Sequence, residues 1–263
     1  MPILDKFSLK GKVALITAGA KEYGYGGCIV KALSEAGATT YFTSRKLENC
    51  GRLLDEQTEK GYDVKAAELE LLDRKTIEDL YRKIIDEQGK IDILVNNAVL
   101  RPIKGYDDPI EDFELSMLAN ATNVFFLTRL FAQNMIERKQ GSIINISSYA
   151  GLVGPDISMY EGTNMNGRAD YYFHKGGMNQ HTKYFASQLG RYNIRVNAIC
   201  LGGLETGEWL QPNKFKKRYV KRTFLNRLAN DDDVKGIVVF LASDASLYVT
   251  GTLIPVDGGY VAK

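Results

Sequence analysis

The sequence contains few of the residues that form disulfide frameworks or metal centres. Its 263 residues include three cysteines and two histidines. Cys28, Cys50 and Cys200 are odd in number, far apart and outside any C-x-x-C spacing, which favours free buried thiols in a reducing compartment. His174 and His181 have no acidic or thiol companions at metal-ligand spacing, so no metal site is predicted.

An excess of charge and long apolar runs are also missing. The formal net charge is +2 at pH 7, which gives no indication of nucleic-acid or membrane-surface binding. No stretch approaches the ~18 consecutive apolar residues of a membrane span. The N-terminal MPILDKFSLKGK has no basic region followed by an apolar run, so no signal peptide is predicted. We therefore expect a cytoplasmic protein that binds neither nucleic acid nor membrane.

Apolar runs of strand length alternate with longer segments of helical period. The runs are KVALITA, TTYFTS, VKAAELE, IDILVNNA, GSIINISS, NIRVNAIC and LIPVDGG. Continuous apolar strands separated by helices are typical of a parallel sheet covered on both faces. We predict a single α/β domain over residues 1–263, a Rossmann-like, doubly wound sheet of about seven strands. A glycine-rich turn after the first strand favours this open sheet over a closed eight-stranded barrel.

That turn, AGAKEYGYGG, lies between the first strand and a helix. Its glycines let the backbone approach a pyrophosphate, whose charge is favourable at a helix N-terminus. The alternative is a tight turn without a ligand. The second strand ends in TSRK, where an arginine can pair with a ribose 2′-phosphate. Arg45 therefore favours NADP over NAD, with Lys21 as an assisting cation, unless Arg45 is only a solvated surface charge.

Two adjacent tyrosines precede a lysine in ADYYFHKGG. Residues four apart share a helix face, so Tyr171 and Lys175 can point into one cleft. Tyr172, three residues from the same lysine, is not excluded, whereas Tyr160 has no cation at this spacing. An ordinary tyrosine has a pKa of about 10, and a neighbouring ammonium stabilises its phenolate. A tyrosine beside a lysine is therefore suited to acid–base chemistry near neutral pH.

Several motifs follow one another in a fixed order. They are GYGGCIVKALSEAGA, NNA at 96–98, Asn120 in LANAT, GSIINISS, Tyr171-x-x-x-Lys175-Gly-Gly, IRVNAICLGG and FLASDASLYVTGTLIPVDGG. In this order and spacing the chain resembles the short-chain dehydrogenases/reductases over essentially its whole length.

The resemblance implies a role for each of four residues. Tyr171 is the general acid/base, and Lys175 stabilises its phenolate and binds the nicotinamide ribose. Ser148 hydrogen-bonds the substrate oxygen, and Asn120 holds a water in a proton relay. Tyr172 then faces packing or a subunit contact, so the resemblance, more than helical spacing, selects Tyr171.

The same resemblance implies a cofactor-binding set for NADP, with NAD as the less favoured cofactor. It places the adenine near Leu71 and the adenosine ribose near Asn97 and Ala98, with the nicotinamide beside residues 199–206. The set comprises Gly19, Lys21, Gly24, Tyr25, Gly26, Ser44, Arg45, Glu70, Leu71, Asn97, Ala98, Lys175, Gly202 and Thr206.

The chain departs from the family pattern at several points, among them the glycine loop, the segment before Tyr171 and position 174. The family's T-G-x-x-x-G-x-G loop is longer here, with Ala18 after the threonine, which makes Gly19 the candidate for the first glycine. The 155–168 insertion, PDISMYEGTNMNGR, must loop out beside the active site to bring Ser148 and Tyr171 together. His174 replaces a frequent serine and is expected to be a packed helix residue, or alternatively a pH-sensitive substrate contact.

Two segments are candidates for substrate specificity, because loops beyond the carboxyl ends of strands determine it in this fold. A cationic cluster is either a solvated face or contributes one or two residues that bind an anionic group of the substrate; it consists of Lys214, Lys216, Lys217, Arg218, Lys221 and Arg222. Polar residues of the 155–168 insertion favour a hydroxylated substrate over a steroid or acyl chain; they are Glu161, Thr163, Asn164, Asn166 and Arg168.

These observations predict an NADP(H)-dependent oxidoreductase that interconverts a secondary alcohol and a ketone on a polar sugar-like, sugar-acid or polyol substrate. The alternatives are a 3-oxoacyl-thioester reductase and a non-catalytic NADP(H)-sensing protein, the latter disfavoured by the intact catalytic set. The long helices around 110–137 and 169–191 resemble those that pair subunits in the family. A homotetramer or homodimer is therefore expected.

Overall fold

The computed structural model describes residues 2–20, 24–205 and 211–263. The strands in these ranges are β1 (Val13–Ile16), β2 (Thr39–Ser44), β3 (Val64–Glu68), β4 (Ile93–Asn96), β5 (Gly141–Ser148), β6 (Ile194–Leu201) and β7 (Leu253–Val256). The α-helices are α1 (Tyr25–Glu35), α2 (Gly51–Glu59), α3 (Arg74–Gln88), α4 (Ile110–Met117), α5 (Val124–Arg138), α6 (Ala169–Leu189), α7 (Asn213–Val220) and α8 (Lys235–Ala242).

The seven strands form one sheet in the order β3-β2-β1-β4-β5-β6-β7, and every neighbouring pair is parallel. Every residue of β1, β4, β5 and β6 is buried, because helices cover both faces. The chain order of the strands reverses between β1 and β4, which opens a crevice at their carboxyl ends. The predicted doubly wound sheet is confirmed.

Each face of the sheet has its own apolar core. Helices α3, α5 and α6 pack on one face, where Ile77 and Phe131 meet Leu94 of β4. Helices α1, α2 and α8 pack on the other, where Ile29 meets Ile93 of the same strand. Burying each such side chain contributes about 1.5–3 kcal/mol, so the two cores hold the strand ends in fixed positions.

None of the described helices is long and apolar enough to cross a membrane. The three cysteines are buried and unpaired. Within the described ranges, no group of three or more His, Cys, Asp or Glu side chains is arranged to hold a metal ion.

Candidate active site

A cleft of about 430 Å³ lies at the carboxyl ends of β1–β4, where the strand order reverses. Reversal points of this kind are where doubly wound sheets bind nucleotides. Five residues of the predicted cofactor-binding set line it, namely Ser44, Arg45, Glu70, Leu71 and Ala98. The structure therefore brings together residues from three separate turns. Lys21 and Thr206 of the predicted set lie outside the described residues.

Hydrogen bonds from β4 fix the turn after β1. The Thr17 hydroxyl accepts hydrogen bonds from the backbone N–H groups of Asn97 and Ala98, both at 2.9 Å. The Asn97 side-chain amide donates to the carbonyls of Thr17 and Ala18, both at 3.0 Å. Asn97 was expected beside the adenosine ribose, and its amide N–H₂ group is already used to hold this turn against β4.

The small residues of the same turn differ in their backbone conformation and in the space around them. Ala18 has φ 56°, in the left-handed region where glycine is favoured. A Cβ at Gly19 would lie 2.7 Å from Cγ2 of Val30, so packing on the core excludes a side chain there. A Cβ at Gly26 would lie 2.6 Å from the Ala18 carbonyl oxygen. Gly24 has φ 122° and open space around it.

Tyr25 makes a contact with a distant part of the chain that could not be predicted from the sequence. Its hydroxyl donates a hydrogen bond of 3.1 Å to the Gly202 carbonyl, which joins the first turn to the end of β6. Burial raises the pKa of Tyr25, so the hydroxyl remains protonated and can donate at neutral pH. Tyr25 and Gly202, both members of the predicted cofactor-binding set, thus contact each other across the crevice.

Tyr171 and Lys175 lie on one face of α6, beside the end of β5. The Lys175 ammonium nitrogen is 5.7 Å from the centroid of the Tyr171 ring and donates a hydrogen bond of 2.6 Å to the Ile146 carbonyl. Ser148 is the last residue of β5 and is buried. Its hydroxyl accepts from the Ala150 N–H at 3.2 Å and makes a long hydrogen bond of 3.4 Å to the Leu201 carbonyl.

Lys175 is 3% exposed, and this burial is the main cause of the shift in its pKa. Loss of hydration lowers the pKa of Lys175 to about 7, and the guanidinium of Arg101 acts in the same direction. Cys200 opposes the shift. Near neutral pH the charged and neutral forms of this lysine are therefore close in free energy, so a small change in its surroundings changes its charge.

Asn120 lies in a π-helical segment, Leu118–Asn123, between α4 and α5. Its amide donates to the Leu100 carbonyl at 2.7 Å and to the Ser116 hydroxyl at 3.0 Å, and its oxygen accepts from the Leu100 N–H at 2.8 Å. Single π-helical turns are frequent at functional sites, because they turn one side chain inward. Asn120 is therefore held between Leu100, in the segment after β4, and Ser116 of α4.

Asp170 extends this hydrogen-bonded group towards Tyr171. The Asp170 carboxylate is fully buried and accepts a hydrogen bond of 2.7 Å from the Ser116 hydroxyl. Neither Asp170 nor Ser116 was predicted from the sequence to belong to the site. The available indication was the acidic residue directly before the two tyrosines, but its partner lies 54 positions away along the chain.

Tyr172 faces a different environment from Tyr171. Burial raises the pKa of Tyr172, and the neighbouring Tyr160 hydroxyl raises it further. Tyr149 packs nearby and contacts Tyr260 at a centroid distance of 4.7 Å. A phenol in this group of tyrosines resists ionisation, which makes Tyr172 poorly suited to acid–base chemistry.

The side chain of His174 is buried against the edge of the Tyr171 ring, with centroids 5.2 Å apart. Burial lowers the pKa of His174 to about 3, so the ring is neutral at physiological pH. Neither ring nitrogen has a hydrogen-bond partner in the described part of the chain. The packed-residue interpretation of His174 is confirmed, and a pH-sensitive substrate contact is not supported.

Half of the cationic cluster is used to dock the 155–168 insertion and the end of β6. Arg218 donates to the carbonyls of Met159 and Glu161, at 3.2 and 2.5 Å, and Arg222 forms an ion pair with Asp156. A further ion pair joins Lys216 to Glu205. These contacts favour the structural interpretation for three of the six cations and leave Lys214, Lys217 and Lys221.

An arginine that the sequence analysis missed lies over the Tyr171 ring. The guanidinium carbon of Arg101 is 4.6 Å from the ring centroid. Arg101 follows Leu100 directly, so the hydrogen bonds between Leu100 and Asn120 also fix its backbone. The side chains of Tyr171, Lys175, Arg101 and His174 therefore form one compact group at the start of α6.

Comparison with known proteins gives matches over almost the whole chain. Residues 19–261 match a family model described as enoyl-(acyl carrier protein) reductase. The chain is 34% identical over 255 residues to the 3-oxoacyl-[acyl-carrier-protein] reductase FabG of Thermotoga maritima, covering 96% of this chain and 99% of that protein. It is also 34% identical over 265 residues to the 2-dehydro-3-deoxy-D-gluconate 5-dehydrogenase of Bacillus subtilis, covering 98% of each.

A solved structure is also similar over the full length. The gluconate 5-dehydrogenase of Burkholderia cenocepacia, in complex with NADP and tartrate, superimposes with a TM-score of 0.88. Sequence identity is 29%, and the match covers 99% of both chains.

Proposed function

The chain belongs to the short-chain dehydrogenase/reductase family, an oxidoreductase family acting on alcohol and ketone groups, and we propose that it uses NADP(H) on a hydroxylated, sugar-acid-like substrate. The observation that carries this proposal is the placement of Tyr171 and Lys175 on one face of α6, with the Lys175 ammonium hydrogen-bonded to β5, the strand that ends at Ser148. We infer that this proton donor and this cation act together with the Ser148 hydroxyl.

The cleft has the features that a dinucleotide requires. Arg45 is exposed at its rim and, among the described residues, forms no ion pair, so its guanidinium is available to a 2′-phosphate. Gly26 has no room for a side chain, Gly24 has a positive φ, and both lie at the start of α1, where an anion is favoured. The bound cofactor would supply the hydride.

The protein groups then handle the proton and the substrate oxygen. In reduction, Ser148 hydrogen-bonds the carbonyl oxygen and Tyr171 donates its phenolic proton to that oxygen as the C–H bond forms at carbon. The ammonium form of Lys175 stabilises the phenolate left on Tyr171. The Asn120 amide is held by Leu100 and is linked through the Ser116 hydroxyl to Asp170, the residue before Tyr171. In oxidation each transfer runs in reverse.

A second candidate activity is reduction of a 3-oxoacyl thioester. The relatives named above include an acyl-carrier-protein reductase and a sugar-acid dehydrogenase at the same 34% identity, so identity does not choose between them. The polar insertion favours the sugar-acid class, because an acyl chain prefers an apolar rim. Glu161 and Asn164 are exposed in this insertion.

The deciding experiment follows the oxidation of NADPH and NADH by the purified protein with keto sugars, keto acids, simple ketones and an acyl thioester. We expect turnover of a hydroxylated keto acid with NADPH, and little with the thioester. Efficient thioester reduction alone would establish the second candidate. Tight NADPH binding with no turnover of any carbonyl would contradict the catalytic proposal and favour a sensing role.

We expect Arg45→Asp to shift the cofactor preference from NADPH towards NADH by about 10- to 100-fold, because it exchanges a phosphate-binding cation for a carboxylate that accepts from a 2′-hydroxyl. The measurement is the ratio of kcat/KM for the two cofactors in wild type and variant. Lys46→Asp, one residue further along, is the matched control and should leave the ratio within about threefold. Equal ratios in wild type and Arg45→Asp would remove Arg45 from cofactor selection.

We further propose a homotetramer or homodimer in a reducing, cytoplasmic compartment. Exposed aromatic residues on α6 support the assembly, since Phe173 is 65% exposed and contacts Phe113 of α4. The buried, unpaired thiols support the compartment.

A further inference from the structure

Arg101 is a fixed cation directly above the ring of Tyr171. Its backbone is held because the preceding residue, Leu100, exchanges two hydrogen bonds with Asn120, at 2.8 and 2.7 Å. Its guanidinium carbon lies 4.6 Å from the Tyr171 ring centroid, within the range of cation–π attraction. The side chain is exposed, so its position over the ring does not come from burial in the core.

No carboxylate in the described ranges forms an ion pair with Arg101. Asp170, the residue before Tyr171, is fully buried; one of its oxygens accepts from Ser116, and the other has no hydrogen-bond partner in the described part of the chain. Asp108 accepts from the backbone N–H groups of Lys104 and Gly105. The Arg101 charge also lowers the pKa of Lys175 and of His174, both of which contact the same tyrosine ring.

A second guanidinium strengthens the positive field at this point. Arg168 donates a hydrogen bond of 3.5 Å to the Arg101 carbonyl and lies at the start of α6. An arginine over an aromatic ring can still donate in-plane N–H groups to an anion, and a carboxylate accepts two of them. Arg101 is therefore arranged to bind a carboxylate at the mouth of the site.

We propose that Arg101 binds a carboxylate group of the substrate, beside the carbonyl carbon whose oxygen Tyr171 protonates. This inference deepens the proposed function and rests on it for the identity of the reacting group. It restricts the substrate to short hydroxylated acids whose carboxylate lies a few carbons from the carbonyl. It also assigns the anion-binding role to a residue outside the cationic cluster, in which Arg218 and Arg222 hold the 155–168 insertion.

Binding of a matched pair of ligands tests the proposal without requiring turnover. The probes are D-gluconate and D-glucitol, which differ only by a carboxylate in place of a CH₂OH group. Each is titrated by calorimetry into the NADPH-loaded protein, in which an alcohol forms a dead-end complex. We expect the wild type to bind gluconate about 10- to 100-fold more tightly than glucitol, the range for a hydrogen-bonded charge pair.

Two variants at the site and one distant control complete the design. In Arg101→Met the preference for gluconate should disappear while glucitol affinity stays within about threefold, and Arg101→Lys should retain part of the preference. Arg191→Met removes a similarly stacked arginine, 4.9 Å from the Tyr192 ring at the far end of α6, and should behave as wild type. Unchanged NADPH affinity in all three variants shows that the fold is intact.

The proposal is overturned if the wild type binds both probes equally, if Arg101→Met keeps the preference, or if Arg191→Met loses it to the same degree. Failure of the proposed function has a different signature, namely no NADPH oxidation with any carbonyl compound. The two failures are therefore distinguishable, because the titration reports carboxylate binding whether or not the protein turns over.

Discussion

Replacement of Tyr171 by phenylalanine is expected to lower kcat for carbonyl reduction by about 10³-fold, within the range attributed to a positioned general acid. The substitution removes the phenolic proton donor and keeps the ring that contacts His174 and Arg101. The free energy of unfolding should therefore change by less than about 1 kcal/mol. The measurements are steady-state NADPH oxidation and denaturant unfolding.

Tyr172→Phe is the matched control for this substitution. It removes the adjacent hydroxyl, which interacts with Tyr149 and Tyr160. Its kcat should remain within about threefold of wild type, and NADPH affinity should be unchanged in both variants. If Tyr172→Phe lost turnover and Tyr171→Phe kept it, the assignment of the acid/base residue would be wrong.

Lys175→Met is expected to lower kcat by about 10²-fold or more and to stabilise the unliganded protein near neutral pH. Activity falls because the phenolate on Tyr171 loses its cation. Stability rises because the wild-type fold must hold a lysine in an apolar environment, which lowers the pKa of Lys175 to about 7.

The pH dependence of unfolding distinguishes this explanation from a general packing effect. Between pH 7 and about 10.5, the unfolded chain binds the lysine proton and the folded chain does not. This residue therefore makes the wild type more stable as pH rises through that window, by up to about 1.4 kcal/mol per pH unit. The difference in the free energy of unfolding between wild type and Lys175→Met should therefore become smaller over the same pH window. A difference that does not change with pH would contradict the explanation by burial.

The fold could be predicted from the sequence because the strands are continuous apolar runs. VALI, ILVN and GSIINISS are fully buried strands, as a parallel sheet covered on both faces requires. Helical spacing alone did not decide whether Tyr171 or Tyr172 is the acid/base residue. The structure separates them physically, since Tyr171 lies beside Lys175 whereas Tyr172 packs among tyrosines.

Other features depend on contacts between distant parts of the chain and gave no local indication. The link from Asp170 to Ser116 and the pairing of Arg222 with Asp156 bring together residues 54 and 66 positions apart. The left-handed backbone at Ala18 could not be predicted either, because a positive φ is uncommon for alanine. The catalytic and cofactor roles of the predicted site residues, Lys21 and Thr206 included, stay predictions.

Transfer of deuterium tests the central claim, reduction of a carbonyl with NADPH and protonation of its oxygen by Tyr171. The wild type and Tyr171→Phe are given the carbonyl compound that is reduced fastest, with NADPH deuterated at both C4 positions. The account predicts one deuterium on the carbinol carbon of the wild-type product, measured by mass spectrometry and NMR, and about 10³-fold slower product formation by Tyr171→Phe. A product without carbon-bound deuterium, or equal rates in the two proteins, would contradict it.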